Sequence, residues 1–168
     1  MWLKLDLYGF KVFFRVKDYH TVTRENYYDN WCYVEINIEF YENIKTGHSG
    51  SLLLSGEIEY IQSTMEDLLE GKIEEIETIT FLEPVLRFVL NPSKTNEIFD
   101  PCVNDVTSDL QLCFWNGYPT DNYLSLRLYR KHMEYLISYI KLIRRQLKKQ
   151  DPEIAELIKK EIIVDYHP

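Results

Sequence analysis

The chain has 168 residues, of which 45% are hydrophobic and 27% charged, and it carries a formal net charge of −8. That composition excludes a disordered, collagen-like or low-complexity chain, and the acidity opposes nucleic acid and anionic membrane by repulsion while favouring basic partners. The length suits a single domain able to bury about 70% of its unfolded surface around one core.

The first residues alternate. Leu3, Leu5 and Leu7 share one side, Val12, Phe14 and Val16 follow, and Gly9 separates the two runs, which predicts a strand or a bent hairpin. Lys4 and Asp6 interrupt the apolar run, so no signal-peptide core can be drawn, and no stretch approaches the roughly 20 apolar residues of a membrane span. The expectation is a cytoplasmic protein.

A polar loop covers residues 18–30, and then Cys32, Val34, Ile36, Ile38 and Phe40 alternate with Tyr33, Glu35, Asn37, Glu39 and Tyr41. One dry face and one wet face mark an antiparallel sheet. Residues 42–50 are expected as a turn, with Gly47-His48-Ser49-Gly50-Ser51 its flexible part, before a short apolar strand at 51–54. Ser55 is the expected N-cap of a helix in which Ile58, Ile61, Met65, Leu68 and Leu69 recur at helical spacing and Gly71 supplies the stop.

Two strands are expected between Ile73 and Asn91, broken at Glu83-Pro84, because proline cannot donate to a ladder. Residues 92–108, rich in Asn, Asp, Pro, Ser and Thr, predict a long loop. Leu110, Leu112 and Phe114, a turn at Asn116-Gly117, and Leu124, Leu126 and Leu128 predict a hairpin. Met133, Leu136, Ile137, Ile140, Ile143 and Leu147 then predict one helix over 131–149, with Arg144, Arg145, Lys148 and Lys149 at the end where the dipole favours cations. Asp151-Pro152 opens a shorter helix through Ile154, Leu157 and Ile158. Consecutive strands with few helical crossovers give an α+β fold, an antiparallel β-sheet or sandwich with one short central helix and C-terminal helices. The expected organisation is a single domain over 1–168, with a C-terminal helical extension from about residue 131.

Three cysteines, Cys32, Cys102 and Cys113, are odd in number and far apart, which suits reduced thiols better than a disulfide framework. The four histidines, His20, His48, His132 and His167, stand beside no recognisable nucleophile elbow, and CxxC, HExxH and GxSxG are absent. No catalytic, cofactor-binding or metal-binding residue is therefore assigned, although a triad assembled from distant residues leaves no sequence trace. Thirteen tyrosines, eight phenylalanines and three tryptophans serve core packing first and interfaces second.

Two charge blocks remain. Glu57, Glu59, Glu66, Asp67, Glu70, Glu74, Glu75 and Glu77 make the first helix and its exit negative against Lys72 alone, while Arg127, Arg130, Lys131, Lys141, Arg144, Arg145, Lys148 and Lys149 make the long helix positive. Each block reads either as a solvated face, partly paired with the other, or as a docking surface whose charge raises on-rate and selectivity. Glu66, Asp67, Glu70, Glu74 and Glu75 are the candidate partner contacts.

Three stretches occur in a familiar order: Tyr28-Asp29-Asn30-Trp31 leading into a strand, Ser51-Leu52-Leu53-Leu54 before an acidic helix, and Ile79-Thr80-Phe81-Leu82-Glu83-Pro84-Val85-Leu86-Arg87-Phe88. Together they resemble the WapI-type immunity proteins of bacterial polymorphic-toxin systems, over roughly residues 28–147. The helix entry departs from the family pattern, being Leu54-Ser55-Gly56-Glu57 rather than threonine-led, and the 91–108 loop and the tail after Gln150 fall outside the likeness. The resemblance implies a non-enzymatic inhibitor that binds a cognate protein toxin, a basic nuclease-type domain, and blocks it stoichiometrically, with no cofactor, nucleic acid or membrane and with a homo-oligomer left open. A general interaction module of unknown partner and a small hydrolase with a dispersed site are the alternatives.

Overall fold

The alternating N-terminus folds as a hairpin in the computed structural model, which describes residues 1–22, 29–41, 44–92, 105–115 and 119–165. Strand β1 (Trp2–Leu7) turns through Tyr8 and Gly9 into β2 (Phe10–Lys17). Both turn residues have positive φ, 53° and 99°, as a two-residue hairpin matched to strand twist requires. Strands β3 (Trp31–Phe40) and β4 (Ile44–Leu54) follow. A two-residue strand near the C-terminus, β9 (Ile163–Val164), pairs with β1 and completes an antiparallel sheet of order β4-β3-β2-β1-β9.

The expected turn over 42–50 is corrected here: β4 begins at Ile44 and pairs with β3 along its length. Its Gly and Ser content reads as a turn by composition, yet Gly47 serves close packing. A Cβ there would lie 2.5 Å from Asn37 Oδ1 and 2.6 Å from the Ile36 carbonyl oxygen.

Leu3, Leu5, Leu7, Val12, Phe14, Val16, Val34, Ile36 and Ile38 form the buried face of this sheet. On the opposite face Trp2, Phe13 and Val164 cluster, and Glu35 takes both Arg15 at 3.2 Å and Lys17 at 2.9 Å. Strands β1 to β4 belong to one compact unit, Met1–Glu59 with Tyr135–Pro168; the other is Tyr60–Glu134.

Helix α1 (Ser55–Leu69) opens one step earlier than expected. Glu57 reaches back to accept the Leu54 N–H at 2.8 Å, the carboxylate half of a capping box, while the Ser55 hydroxyl accepts the His20 N–H at 3.2 Å and lies 3.4 Å from Cys32 Sγ. Ser55 ties chain segments together and caps nothing. At the other end Gly71, with φ of 75°, donates to the Leu68 carbonyl and Lys72 donates to the Asp67 carbonyl, a Schellman closure.

The second unit holds β5 (Glu77–Thr80), β6 (Leu86–Asn91), β7 (Thr107–Trp115) and β8 (Pro119–Tyr129) in one antiparallel sheet of that order. Ile79, Leu86, Phe88, Leu90, Leu110, Leu112, Leu126 and Leu128 make its buried face. The loop expected over 92–108 ends earlier, since Thr107 and Ser108 are already strand; residues 93–104 and the Asn116-Gly117 turn lie outside the described residues. A bulge after Cys113 breaks the alternation, so Cys113 is buried and Phe114, expected inside with Leu110 and Leu112, is 49% exposed.

The helix expected over 131–149 ends early, and the shorter helix expected from Asp151-Pro152 follows it. Helix α2 (Arg130–Ile143) stops at Arg145, whose φ is 60°, and α3 (Pro152–Lys159) stops at Glu161, with φ of 55°. Arg145 donates to the Leu142 carbonyl and Gln146 to that of Lys141, and Glu161 and Ile162 repeat the pattern on Ile158 and Leu157. Both are Schellman closures without glycine, so the sequence gives no stop signal and the apolar period runs on to Leu147. Asp151 begins α3 as expected, but its carboxylate accepts the Lys148 N–H at 2.7 Å instead of a helical N–H. In the first unit the buried Tyr139 hydroxyl accepts the Val16 N–H and donates to the Met1 carbonyl, both at 3.1 Å, fastening α2 to β2.

Candidate partner-binding surface

The five candidate contacts lie on the last turns of α1 and the segment after it, all within Tyr60–Glu134. Helical spacing turns Ile61, Met65 and Leu68 inward, which leaves Asp67 and Glu70 on the outside. Asp67 and Glu70 meet at Lys72, whose ammonium lies 2.9 Å from one and 2.6 Å from the other. The hydrogen bonds it donates to these two acids, Glu70 first, hold the exposed Lys72 well above the ordinary lysine value. Glu66 is half-buried and accepts from Gln62 Nε2 at 3.2 Å.

Beyond the Schellman closure the chain leaves the helix, and only Ile73 turns inward before β5. Glu74, Glu75 and Glu77 are exposed, and between them stands Ile76 at 57% exposure. Ile76 is a residue the sequence reading missed. Its signal is an apolar side chain flanked by acids that fits neither the helical period before it nor the alternation after it. The arrangement is an acidic strip with one apolar side chain, suited to a basic surface and offering no group poised for chemistry.

The other acids of the block do different work. Glu59 accepts the Tyr19 hydroxyl at 2.6 Å and pairs with Arg144 at 3.1 Å, and burial together with that acid pushes the Tyr19 phenol up. Glu57 is the helix cap described above. The basic block is likewise mostly engaged. Arg127 pairs with Asp109 at 3.0 Å, and Arg130 grips Asp105 through Nε and Nη2 at 2.8 to 3.0 Å while Nη1 reaches the Leu69 carbonyl at 3.4 Å. The Arg130 guanidinium lowers the Asp105 carboxyl below its usual range.

His132 is buried, and its Nδ1 accepts the Tyr129 N–H at 3.1 Å at the entry to α2. His48 stands on β4 opposite Ile36. Burial raises the Cys32 thiol, against the Ser55 contact, so the neutral thiol is favoured over a nucleophilic thiolate. Among the described residues no group of three or more His, Cys, Asp or Glu could hold a metal ion.

The three stretches that carry the family resemblance occupy framework positions. The Asn30 carbonyl accepts the Ser55 N–H at 2.8 Å, Trp31 opens β3 opposite Leu54, and Phe81 packs edge-on to Phe88 at 6.2 Å, with the turn at Pro84 between them. Tyr28 lies outside the described residues.

The family model for the Immunity protein WapI-like family matches residues 3–148. The chain belongs to the WapI-like immunity protein family. The WapI-like match begins well before Tyr28 and takes in the N-terminal hairpin and the 91–108 stretch, both of which the motifs alone had left out. It ends at 148, so α3 and β9 lie beyond it. Family membership supports an immunity role through binding of a cognate toxin and suggests a non-enzymatic one. No helix is long and apolar enough to cross a membrane, among the described residues. No curated protein matches the chain. Among solved structures, the structure of the plant transcriptional regulator PBF-2 shares 11% identity over 96% of this WapI-like chain and 94% of its own, with a TM-score of 0.43, a likeness that carries no argument.

Proposed function

We propose that this WapI-like protein acts in the cytoplasm as a stoichiometric inhibitor, neutralising a basic, nuclease-type toxin domain by covering its anion-binding surface with the strip that contains Glu66, Asp67, Glu70, Glu74 and Glu75. Membership of the immunity family over residues 3–148 is the observation that carries the reading. The exposure of Glu70, Glu74 and Glu75 supports the choice of surface, because a basic partner can reach those carboxylates from solvent. An acidic inhibitor facing a protein built to hold phosphates gains long-range steering, and that gain fades with salt.

The test is co-expression with the cognate toxin domain, scored by survival and by co-purification in a fixed ratio. Combined Glu70→Lys, Glu74→Lys and Glu75→Lys substitutions are expected to leave the thermal midpoint unchanged and to lower the on-rate by roughly tenfold or more at low salt, with loss of protection. Full protection by the charge-reversed protein would remove the acidic strip from the interface, and absence of any complex with wild type would remove the inhibitor reading itself.

A further inference from the structure

Each sheet ends in two edge strands, and an open edge is a template for another strand unless it is short, charged, bulged or broken by proline. Three of the four edges are protected in one of those ways. β9 has two residues, β5 has four and begins with Glu77, and β8 begins with Pro119 and carries Arg127. β4 is the exception over residues 44–51, where its register with β3 is regular, its one bulge falling at Leu52. It runs for 11 residues without proline, its only ionisable residues are Lys45 and His48, and Lys45 is already paired with Glu39.

The accessible part of β4 runs from Ile44 to Leu52, since Leu53 and Leu54 are buried. At its first residue the apolar face of the sheet reaches solvent. Ile44 is 58% exposed and lies opposite Phe40, which stacks on Phe10 at 4.3 Å, while Tyr41, 68% exposed with a φ of 46°, packs its ring against Gly9. A non-glycine residue held in that region costs of order 1 kcal/mol, so the aromatic tip is kept in place against its own backbone preference.

We infer that β4 pairs antiparallel with β4 of a second copy of this chain, across a two-fold axis at His48, joining two five-stranded sheets into one. Apart from Lys45, which is held by Glu39, the strip carries no lysine, arginine or acid within a chain of net charge −8, and its complement is an extended strand equally poor in charge with an apolar residue at its end. β4 itself meets that description. Centring on His48 sets Ile44 against Leu52 of the other copy and Lys45 against Ser51, so neither lysine faces a like charge and the exposed apolar residue is covered beside Phe40.

Sedimentation velocity over a concentration series tests the pairing with the full chain alone. The expected result is a rise in mass from 20.2 kDa towards twice that value. His48→Lys, which sets two ammonium groups face to face, weakens self-association by roughly fivefold or more while leaving the thermal midpoint of the monomer in place. His48→Cys, a residue that would meet its own copy on the axis, forms a disulfide-linked dimer under mild oxidation, whereas Glu74→Cys does not. A monomer at every concentration with no His48→Cys crosslink overturns the proposal. So does a dimer indifferent to His48→Lys, and so does a monomer whose binding to the toxin domain is weakened by His48→Lys, which would give the edge to the toxin instead.

Discussion

The two compact units use their carboxylates in opposite ways. In the five-stranded unit each described acid on the sheet's wet face sits in register with a cation: Asp6 with Lys11, Glu35 with Arg15, Glu39 with Lys45. Glu59 is likewise taken by Arg144 and Tyr19, and Glu57 by a backbone N–H. In the four-stranded unit Asp109 on the ladder is matched by Arg127 and Glu77 stands in register with Leu90, but five acids from Glu66 to Glu75 lie off the ladder with Lys72 as the one lysine or arginine in that stretch. A charge run in a sequence is thus two populations. Acids placed opposite cations by register or by a cap hold the fold, and the acids outside any ladder are the ones the proposed interface would use.

If the first unit is fastened by buried polar contacts, removing one of them should produce the largest effect. Tyr139→Phe deletes a hydroxyl that serves the Val16 N–H and the Met1 carbonyl at 3.1 Å each, in a side chain with no exposure. The Val16 N–H is left buried with one partner fewer, and the expected loss is about 1 to 3 kcal/mol by denaturant titration. The ring remains to fill the space beside Phe14, so the loss reports the hydroxyl and not a cavity. A cost near zero would mean that the fastening is apolar and that the contrast between the units rests on packing instead.

Helix stops give a second contrast, one that explains where the sequence was legible. α1 ends at Gly71 and was placed correctly, because glycine announces a left-handed residue. α2 ends at Arg145 by the same hydrogen-bond pattern with an ordinary side chain, and the apolar period of Ile143 and Leu147 carried the expected helix past it. Gly71→Ala is therefore expected to cost about 1 kcal/mol, while Arg145→Gly should gain a few tenths to ~1 kcal/mol, the relief of backbone strain being partly offset by a freer unfolded chain. Equal signs for the two would show that the closures differ in kind.

Alternation found β1, β2, β3, β6 and the β7–β8 pair because their buried faces are long and regular, as at Leu86, Phe88 and Leu90. It failed at β4, where Thr46, His48 and Gly50 share a face with buried Ile38, Ile36 and Val34 but are not themselves apolar, and at Phe114, where a bulge moves the side chain outward. An edge strand borrows its register from its neighbour, so its own composition need not declare it. The acidic strip was legible as charge, whereas the diversion of Glu57 and Glu59 into a cap and an ion pair depends on contacts with Leu54, Tyr19 and Arg144 that spacing alone does not reveal.

The smallest expected effect is also the sharpest test of the two populations. Lys72 is exposed and shared by Asp67 and Glu70, so solvent screening makes its removal nearly neutral for the fold. The same change releases two carboxylates into the strip and removes the one lysine or arginine of residues 66–77. Lys72→Met should then raise the on-rate for the toxin domain by roughly two- to threefold at low salt and leave it unchanged at high salt, measured by stopped-flow binding. The corresponding change in the other unit, Lys45→Met beside Glu39, should leave that on-rate alone, because Glu39 belongs to the ladder and not to the strip. A rise for Lys45→Met equal to that for Lys72→Met would mean that the partner responds to net charge wherever it lies, and the division between structural and available acids would lose its functional content.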